Sequence, residues 1–478
     1  MKLIEKPAVP AAPEPAGSAA SMGLVMFAAT AAALGGLLFG YDSAVINGAV
    51  GAIAAHFHAG AAALGLTVAS ALLGAAAGAL VAGRIADGRG RLVPMRLAAI
   101  LFVISALGCG LADSLLLLSV FRVIGGVAIG IASVIAPTYI AEIAPANVRG
   151  RLGSLQQLAI VTGIFISLLV DYGIAAAAGS AQAPSLGGLD AWRWMFIAMI
   201  VPAALYGLCS FEIPESPRYL IAKGRLDDAR VVLIRMLGAG GIAVKIEQIV
   251  ASLKRNTAPN WSDLRGPAFG LLPIVWIGIG LSVFQQFVGI NVIFYYSSVL
   301  WQAVGFSEKD SLVITVITSI VNIATTFIAI ALIDRVGRRP LLLIGSAGMA
   351  LTLGILAVVF ASAPLNAAHQ PQLGGPAGLT ALFAANLFVV SFGMSWGPVV
   401  WVLLGEKFPN RIRAAALAVA ACAQWLANWA ITTSFPTLQN LGLGLAYGVY
   451  TAFAILSFFF VWKFVKESNG RELEEMTS

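Results

Sequence analysis

Long apolar runs, separated by short polar segments, occupy most of the chain. Each run has about 20 residues or more, enough to cross the ~30 Å hydrocarbon core of a bilayer as an α-helix. The twelve runs cover residues 23–47, 64–83, 93–112, 115–140, 153–177, 193–212, 268–301, 310–333, 340–361, 377–404, 413–435 and 443–465. The polar stretch 213–267 divides them into two sets of six, and it is predicted to form short amphipathic helices.

Composition supports a membrane protein. Hydrophobic residues make up 59% of the chain and charged residues 11%, whereas a soluble domain is about 25% charged. In lipid only helices and closed barrels satisfy their own backbone polar groups. A barrel would show alternating segments of about 10 residues rather than long apolar runs. We therefore predict an all-α membrane protein.

The basic residues predict the orientation. If both termini lie in the cytoplasm, all of the 29 Lys and Arg fall on the cytoplasmic side except Arg122, Arg193 and Lys309. Such a bias is typical of multi-pass proteins. It accounts for the net charge of +7 without a nucleic-acid partner, because the basic residues are spread over loops.

Two charge motifs recur in the same order in both sets of runs. D-x-x-G-R follows the second run at 87–91 and the eighth at 334–338. An E-x6-R pattern begins at Glu142 after the fourth run and at Glu406 after the tenth. This repetition indicates a duplicated six-helix unit. The predicted domains are a disordered tail (1–22), a six-helix bundle (23–212), linker helices (213–267), a second bundle (268–465) and a C-terminal tail (466–478).

The repeated charges lie at the inner ends of the spans, where they are candidates for a cytoplasmic gate. Paired carboxylates and guanidiniums there would hold the halves together in one state and separate in the other. The alternative is that the arginines only set the topology. The candidates are Asp87, Arg91, Glu142, Arg149, Asp334, Arg338, Glu406 and Arg413.

Several motifs resemble the sugar porter family of the major facilitator superfamily. They are G-G-L-L-F-G-Y-D (35–42), P-T-Y-I-A-E-I-A-P (137–145), R-G-R (149–151), P-E-S-P-R-Y-L (214–220), Q-Q-F-V-G-I-N (285–291), D-R-V-G-R-R-P (334–340) and S-W-G-P-V-V-W (395–401). The resemblance runs from about residue 24 to 471 and is closest to bacterial pentose and hexose porters. It implies two pseudo-symmetric six-helix bundles, alternating access, one sugar bound at the midplane and a bacterial cytoplasmic membrane.

One departure from the family lies at the C-terminus. The family usually has P-E-T-K-G-R, whereas this chain has K-E-S-N-G-R at 466–471. The loss of the proline leaves open how this tail caps the inner gate.

The spans contain neutral polar residues suited to a sugar, which needs groups that both donate and accept hydrogen bonds and a flat aromatic face. The resemblance implies sugar contacts at Gln157, Gln285, Gln286, Asn291, Asn322, Trp396 and Gln424. Tyr295 and Asn428 are added from their positions in the spans, while Gln156 lies where the family varies. The alternative for any single amide is a hydrogen bond between helices.

The seventh and tenth runs are predicted to be interrupted. On an ideal helix Asn291 and Tyr295 share a face but Gln286 points away, so a common ligand requires a break, which we place at Gly289. In the tenth run, Gly393, Gly397 and Pro398 surround Trp396 and predict a second break.

Asp42 and Arg122 are the candidates for proton coupling. We interpret Asp42 as the one carboxylate well inside a span of the first half, and Arg122 as the one intramembrane arginine. Both fall in the outer part of the membrane, where an unpaired charge is costly. They are predicted to pair, and protonation of Asp42 would release Arg122. A permanent structural ion pair is the alternative.

The favoured function is sugar–proton symport by a monomer without a cofactor or metal. A uniporter of the same fold and a membrane sugar sensor remain alternatives. An enzyme is not expected, because the sequence has no nucleotide loop, no catalytic serine motif in context and no metal-ligand spacing. The identity of the sugar stays open, since the same amides would serve xylose, glucose or galactose.

Overall fold

The computed structural model describes six ranges of the chain. They are 22–145, 148–255, 261–364, 372–373, 375–408 and 412–467. The predicted N-terminal tail up to residue 21 and the C-terminal tail from residue 468 therefore lie outside the described residues.

The helices before the linker form six spans. They are α1 (Met22–Ala44), α2 (Ile46–His56), α3 (Ala61–Arg89), α4 (Leu92–Leu111), α5 (Leu115–Ile143), α6 (Arg149–Ala178), α7 (Ala191–Ile197) and α8 (Ile200–Glu212). A short 3-10 turn, Leu186–Gly188, precedes α7. The first span runs from Met22 to His56, nine residues beyond its predicted end at 47.

The linker contains three short helices and a 3-10 turn, and six further spans follow it. The linker elements are α9 (Pro217–Ala222), α10 (Leu226–Leu237), α11 (Ile242–Arg255) and the turn Trp261–Leu264. The spans comprise α12 (Pro273–Phe287), α13 (Ile290–Ala303), α14 (Glu308–Val336), α15 (Arg338–Ala361), α16 (Gly375–Gly393), α17 (Trp396–Lys407), α18 (Arg413–Leu441) and α19 (Leu443–Phe464). Among the described residues, twelve segments are long and apolar enough to span a membrane, as predicted.

The spans pack as two bundles. In the first half, α3 packs on α5 and α1 on α6; in the second half, α15 packs on α19 and α12 on α18. Glycines allow the closest approaches: Gly126 lies against the backbone of Ala71, and Gly163 against that of Leu37. Small residues at such crossings are the usual basis of helix association in lipid.

Four spans are interrupted. The two predicted breaks are confirmed: Gly289, with φ 82°, separates α12 from α13, and Met394 and Ser395 separate α16 from α17. The breaks at Val45 in the first span and near Met199 in the sixth were not predicted. Interrupted helices are frequent where a membrane protein lines a cavity.

The linker helices carry a small core of their own. Leu220, Ile221 and Ala229 are buried there, and the apolar face of α11 packs on them. The linker lies at one end of the bundles, where α9 contacts α5 and α10 contacts the beginning of α1. We call this the linker end, and the opposite end the far end.

The two halves meet at the far end. Asn47 of α2 donates to the Phe294 carbonyl of α13 at 3.0 Å, and its amide oxygen accepts from the Ser298 N–H at 3.1 Å. Gly65 of α3 lies against the Thr433 carbonyl of α18. These contacts close the far end in this conformation.

Candidate functional site

A chain of buried amides crosses the breaks in the second half. The Gln285 side chain donates to the carbonyls of Trp396 and Gly397, at 2.8 and 3.1 Å. Gln286 donates to the Gln285 side-chain oxygen at 3.3 Å, and Asn291 donates to that of Gln286 at 2.6 Å. The break at Gly289 thus brings Gln286 and Asn291 together, as the sequence predicted. It leaves a row of amides between α12, α13 and α17.

The other predicted amides lie on α6, α14 and α18 and make no hydrogen bonds to this row among the described residues. Asn322 of α14 is buried beside Gly393, and Gln157 of α6 is half-buried. The Gln424 side-chain oxygen of α18 is enclosed without a hydrogen-bond partner. Asn428, one turn further along α18, accepts a hydrogen bond from Thr432 and lies beside Tyr295 of α13.

Gln156, the first member of the Gln pair, is the more enclosed of the two. It is 8% exposed, and neither end of its amide has a hydrogen-bond partner among the described residues. The amide lies directly against Gly36 of α1, where a Cβ atom would come within 2.8 Å of it. An unsatisfied buried amide costs about 1–3 kcal/mol, so it is suited to bind water or a ligand hydroxyl.

The position of Trp396 corrects its expected role. Its ring has no exposed surface, and its indole N–H donates to the Leu342 carbonyl and the Ser346 hydroxyl of α15, at 3.1 and 2.9 Å. The ring is therefore packed inside the second half and offers no face to a ligand in this conformation. Only the backbone carbonyl of Trp396 joins the amide row.

An aromatic pair that was not predicted does cross between the halves. The rings of Phe39 in α1 and Trp425 in α18 have centroids 5.8 Å apart, within the usual range for aromatic contacts. Trp425 directly follows Gln424, and Phe39 lies within G-G-L-L-F-G-Y-D. Their position in these motifs was the available sequence signal.

Asp42 and Arg122 form the predicted ion pair. An Arg122 guanidinium nitrogen lies 3.3 Å from an Asp42 carboxylate oxygen and donates to the Asp42 backbone carbonyl at 2.8 Å. Both residues are buried, at 0% and 2% exposure. Tyr295 of α13 lies close enough to interact with this pair as well as with Ser43. The charged pair in the first half is thereby next to the helix that carries Asn291.

Asp42 is not the only carboxylate inside the first half, contrary to the prediction. Asp171 of α6 is also completely buried. The acid was visible in the sequence, six residues inside the end of the predicted run 153–177, but the sequence did not show that it is fully buried between helices.

The loops that carry the D-x-x-G-R motifs have matching geometry in the two halves. Gly90 and Gly337 have φ of 93° and 96°, a backbone region that glycine tolerates best. Glu215 accepts from the backbone N–H groups of Arg91 and Leu92, at 2.9 and 3.3 Å, at the start of α4. In the second half, Glu467 accepts from those of Arg338 and Arg339, at 3.1 and 2.9 Å, at the start of α15. Both are anionic caps of helix N-termini, so the tail caps α15 without the family's proline.

The described gate candidates pair within one half. Arg91 makes a bidentate pair with Glu142, with both distances 2.9 Å, and lies 3.6 Å from Asp87. Arg338 donates to the Ile333 carbonyl at 3.0 Å, just as Arg91 donates to that of Ala86 at 3.1 Å. The side chains of Arg149, Asp334, Glu406 and Arg413 lie outside the described residues, so their gate role stays a prediction.

Comparison with known proteins identifies the family. The model of the family "Sugar (and other) transporter" matches residues 28–478. The chain is 57% identical to a glucose transport protein of Synechocystis sp., over 97% of this chain and 99% of that protein. It is 37% identical to the D-xylose-proton symporter of Escherichia coli K12, over 93% of each.

A solved structure agrees with the fold. The inward-open conformation of the xylose transporter XylE from E. coli matches with a TM-score of 0.80 and 36% identity, covering 94% of this chain and 99% of that one. The match extends over both halves, so the two six-helix bundles form a major facilitator fold. The chain therefore belongs to the sugar transporter family.

Proposed function

We propose that this protein carries a monosaccharide across the membrane by alternating access, together with a proton. The observation that carries the proposal is the row of amides at the broken helices, Gln285, Gln286 and Asn291, next to the buried Asp42–Arg122 pair. Two relatives, the glucose transport protein and the D-xylose-proton symporter, support a monosaccharide as substrate. The second also supports coupling to a proton.

The amide row suits a sugar because each amide both donates and accepts. In the absence of sugar the amides bond one another, and sugar hydroxyls replace these bonds. Each neutral hydrogen bond contributes about 0.5–1.5 kcal/mol net, so a handful of them gives micromolar-to-millimolar affinity, which permits release. Gln157, Gln424, Asn322 and Asn428 complete the proposed site, and the Phe39–Trp425 pair supplies the aromatic face.

Helix α13 links the sugar site to the far-end contact. It carries Asn291 of the amide row, Tyr295 beside the Asp42–Arg122 pair, and Ser298, which bonds Asn47 of the first half. Protonation of Asp42 weakens its hold on Arg122 and changes the charge next to Tyr295. Because α13 is one helix, this change reaches both the amide row and the far-end contact.

The proposed orientation puts the linker end in the cytoplasm. With that orientation the sequence follows the positive-inside rule, both termini are cytoplasmic, and the far-end closure makes this an inward-facing conformation. The match to an inward-open xylose transporter supports the same assignment. A single chain contains both halves of the site, and a monomer is therefore sufficient.

The test of coupling is Asp42→Asn in proteoliposomes with a pH gradient. The wild type is expected to accumulate labelled sugar above the outside concentration. The variant is expected to lose this uphill uptake and to retain counterflow exchange, because its neutral side chain resembles protonated Asp42. Asp113→Asn is the matched control, since Asp113 is an exposed carboxylate in the loop between α4 and α5.

Two results would count against the coupling. If the wild type equilibrates sugar without accumulating it, the protein is a uniporter of the same fold. If Asp42→Asn still accumulates sugar as the wild type does, the Asp42–Arg122 pair is structural only.

A further inference from the structure

Asp171 is a buried acid that the proposed mechanism does not use. It has no exposed surface. Among the described residues its carboxyl oxygens make no hydrogen bond of good geometry, although the backbone of Gly48 lies close enough to interact with the carboxyl group. An isolated carboxylate in such a place costs far more than a neutral carboxylic acid. Burial at this position therefore favours the neutral acid over the carboxylate.

No nearby charge offers Asp171 a counter-ion. In the described part of the chain, the ion pairs do not include Asp171. The charged or titratable residues with described side chains on the helices packed against α6 are Tyr41, Asp42, His56, Arg122, Tyr139, Glu142, Arg193, Glu308, Lys309, Asp310 and Arg335. The titratable side chain that does interact with Asp171 from another helix is Tyr41 of α1.

The packing of α2 against α6 leaves space for the carboxyl group of this acid. A Cβ atom on Gly48 of α2 would fall 2.6 Å from the Asp171 Cβ and 2.8 Å from its carboxyl group. The carboxyl group therefore fits between α2 and α6 because residue 48 is a glycine. Gly48 lies six residues beyond Asp42 along the first span, about 9 Å nearer the far end at 1.5 Å per residue.

The two helices that enclose Asp171 also contact the second half. Asn47, next to Gly48, bonds α13 of the second half, and α6 packs against α14 of the second half. When the halves separate at the far end, α13 and α14 withdraw from the two helices that enclose Asp171. We expect that the acid is then covered on fewer sides and that water from the outer solution reaches it.

We propose that Asp171 is a second proton-binding residue, which holds a proton while the far end is closed and exchanges it with the outer solution when the far end opens. This inference rests on the orientation proposed above. In the open state the carboxylate takes a proton from hydronium, which leaves water; at alkaline outer pH the reverse transfer gives the proton back. Closure of the far end then requires Asp171 to be neutral, so outer acidity favours the inward-facing state.

The test uses infrared spectroscopy on the reconstituted full-length protein, which detects the C=O stretch of a protonated carboxyl group. At neutral pH we expect a band that Asp171→Asn abolishes and Asp42→Asn leaves in place. If Asp171→Asn does not fold, Asp171→Glu serves for assignment, because it moves the band while keeping an acid. A spectrum in which neither variant at position 171 changes any protonated-carboxyl band would overturn the proposal.

Exchange with the outer solution is tested with the far end locked. Gly51 of α2 lies beside Val299 of α13, so a disulfide between cysteines at these positions holds the far end closed. After a rise in outer pH, we expect the band to persist in the oxidised protein and to be lost after reduction. If the band persists in both the oxidised and the reduced protein, or is lost in both, Asp171 does not exchange its proton through the far end.

These outcomes do not depend on sugar uptake. The wild type could fail to accumulate sugar and still show a carboxyl band that is lost only when the far end can open. This result would exclude proton coupling at Asp42 and would still support Asp171 as a proton-binding residue.

Discussion

At the scale of single residues, the proposed site consists of amides that form hydrogen bonds with one another, and we propose that sugar hydroxyls replace these bonds. The Asn291 amide donates a hydrogen bond to Gln286, and Gln286 donates one to Gln285. Gln285 in turn donates to a backbone carbonyl at the start of α17. The sequence revealed which residue types line the site, because amides are rare in apolar spans. It did not reveal their rotamers, so Trp396 was assigned a sugar-facing ring that in fact bonds α15.

Replacement of Asn291 by Ala is expected to weaken sugar binding. The change removes one amide that the proposed site offers to sugar hydroxyls, a loss of about 0.5–1.5 kcal/mol, which corresponds to about 2- to 13-fold in affinity. The measurement is the half-saturating sugar concentration for counterflow. Asn386→Ala is the matched control, because the Asn386 amide donates only to the Leu382 carbonyl of its own helix. Equal effects of the two substitutions would exclude Asn291 from the site.

At the scale of elements, the breaks in the helices determine where the site lies. The break at Gly289 requires a left-handed backbone, and the residue lies against the Tyr450 ring, 2.7 Å from where a Cβ would stand. A glycine between amides that would face different ways on one ideal helix can be recognised in a sequence, and the break at Gly289 was predicted from it. The break near Met199 lies just before Pro202, whose ring removes the hydrogen bond to the carbonyl four residues earlier and interrupts the helix there, so this signal was present in the sequence. The break at Val45 has an αR backbone and no glycine or proline at the break itself, so packing between helices determines it.

Gly289→Ala tests the importance of the break. An L-residue in the left-handed region costs about 1–2 kcal/mol, and the methyl group would also displace Tyr450. We expect a transport rate at least about 5-fold lower in protein that still inserts and elutes as a single species. Gly448→Ala on α19 is the control, since nothing lies within 4 Å of its added Cβ. Unchanged transport by Gly289→Ala would mean that the break is not functional.

At the scale of the whole molecule, two similar halves enclose the proposed site. The duplication was visible in the sequence as repeated charge motifs, and it extends to atomic detail: Glu215 and Glu467 cap equivalent helices beside Gly90 and Gly337. The conformational state was not visible in the sequence. Alternative arrangements of such bundles differ by only a few kcal/mol, which periodicity and composition do not encode.

A disulfide across the far end is expected to stop transport. A Cβ on Gly51 would lie 3.7 Å from the Val299 Cγ2 atom, which brings the side chains at these two positions into contact, as a disulfide between them requires. In a background in which Cys109, Cys209 and Cys422 are replaced by Ala, oxidised Gly51→Cys/Val299→Cys protein should lose uptake and regain it on reduction. Either single cysteine is the control. Full uptake by the crosslinked protein would show that the far end does not need to open.

The most direct test of the central claim is counterflow of labelled monosaccharides by the purified wild type in proteoliposomes. Vesicles preloaded with unlabelled D-glucose or D-xylose should take up the labelled sugar transiently, and excess unlabelled sugar outside should abolish the uptake. If a panel of labelled pentoses and hexoses shows no exchange above that of protein-free vesicles, the amide row is not a sugar site and the account is wrong.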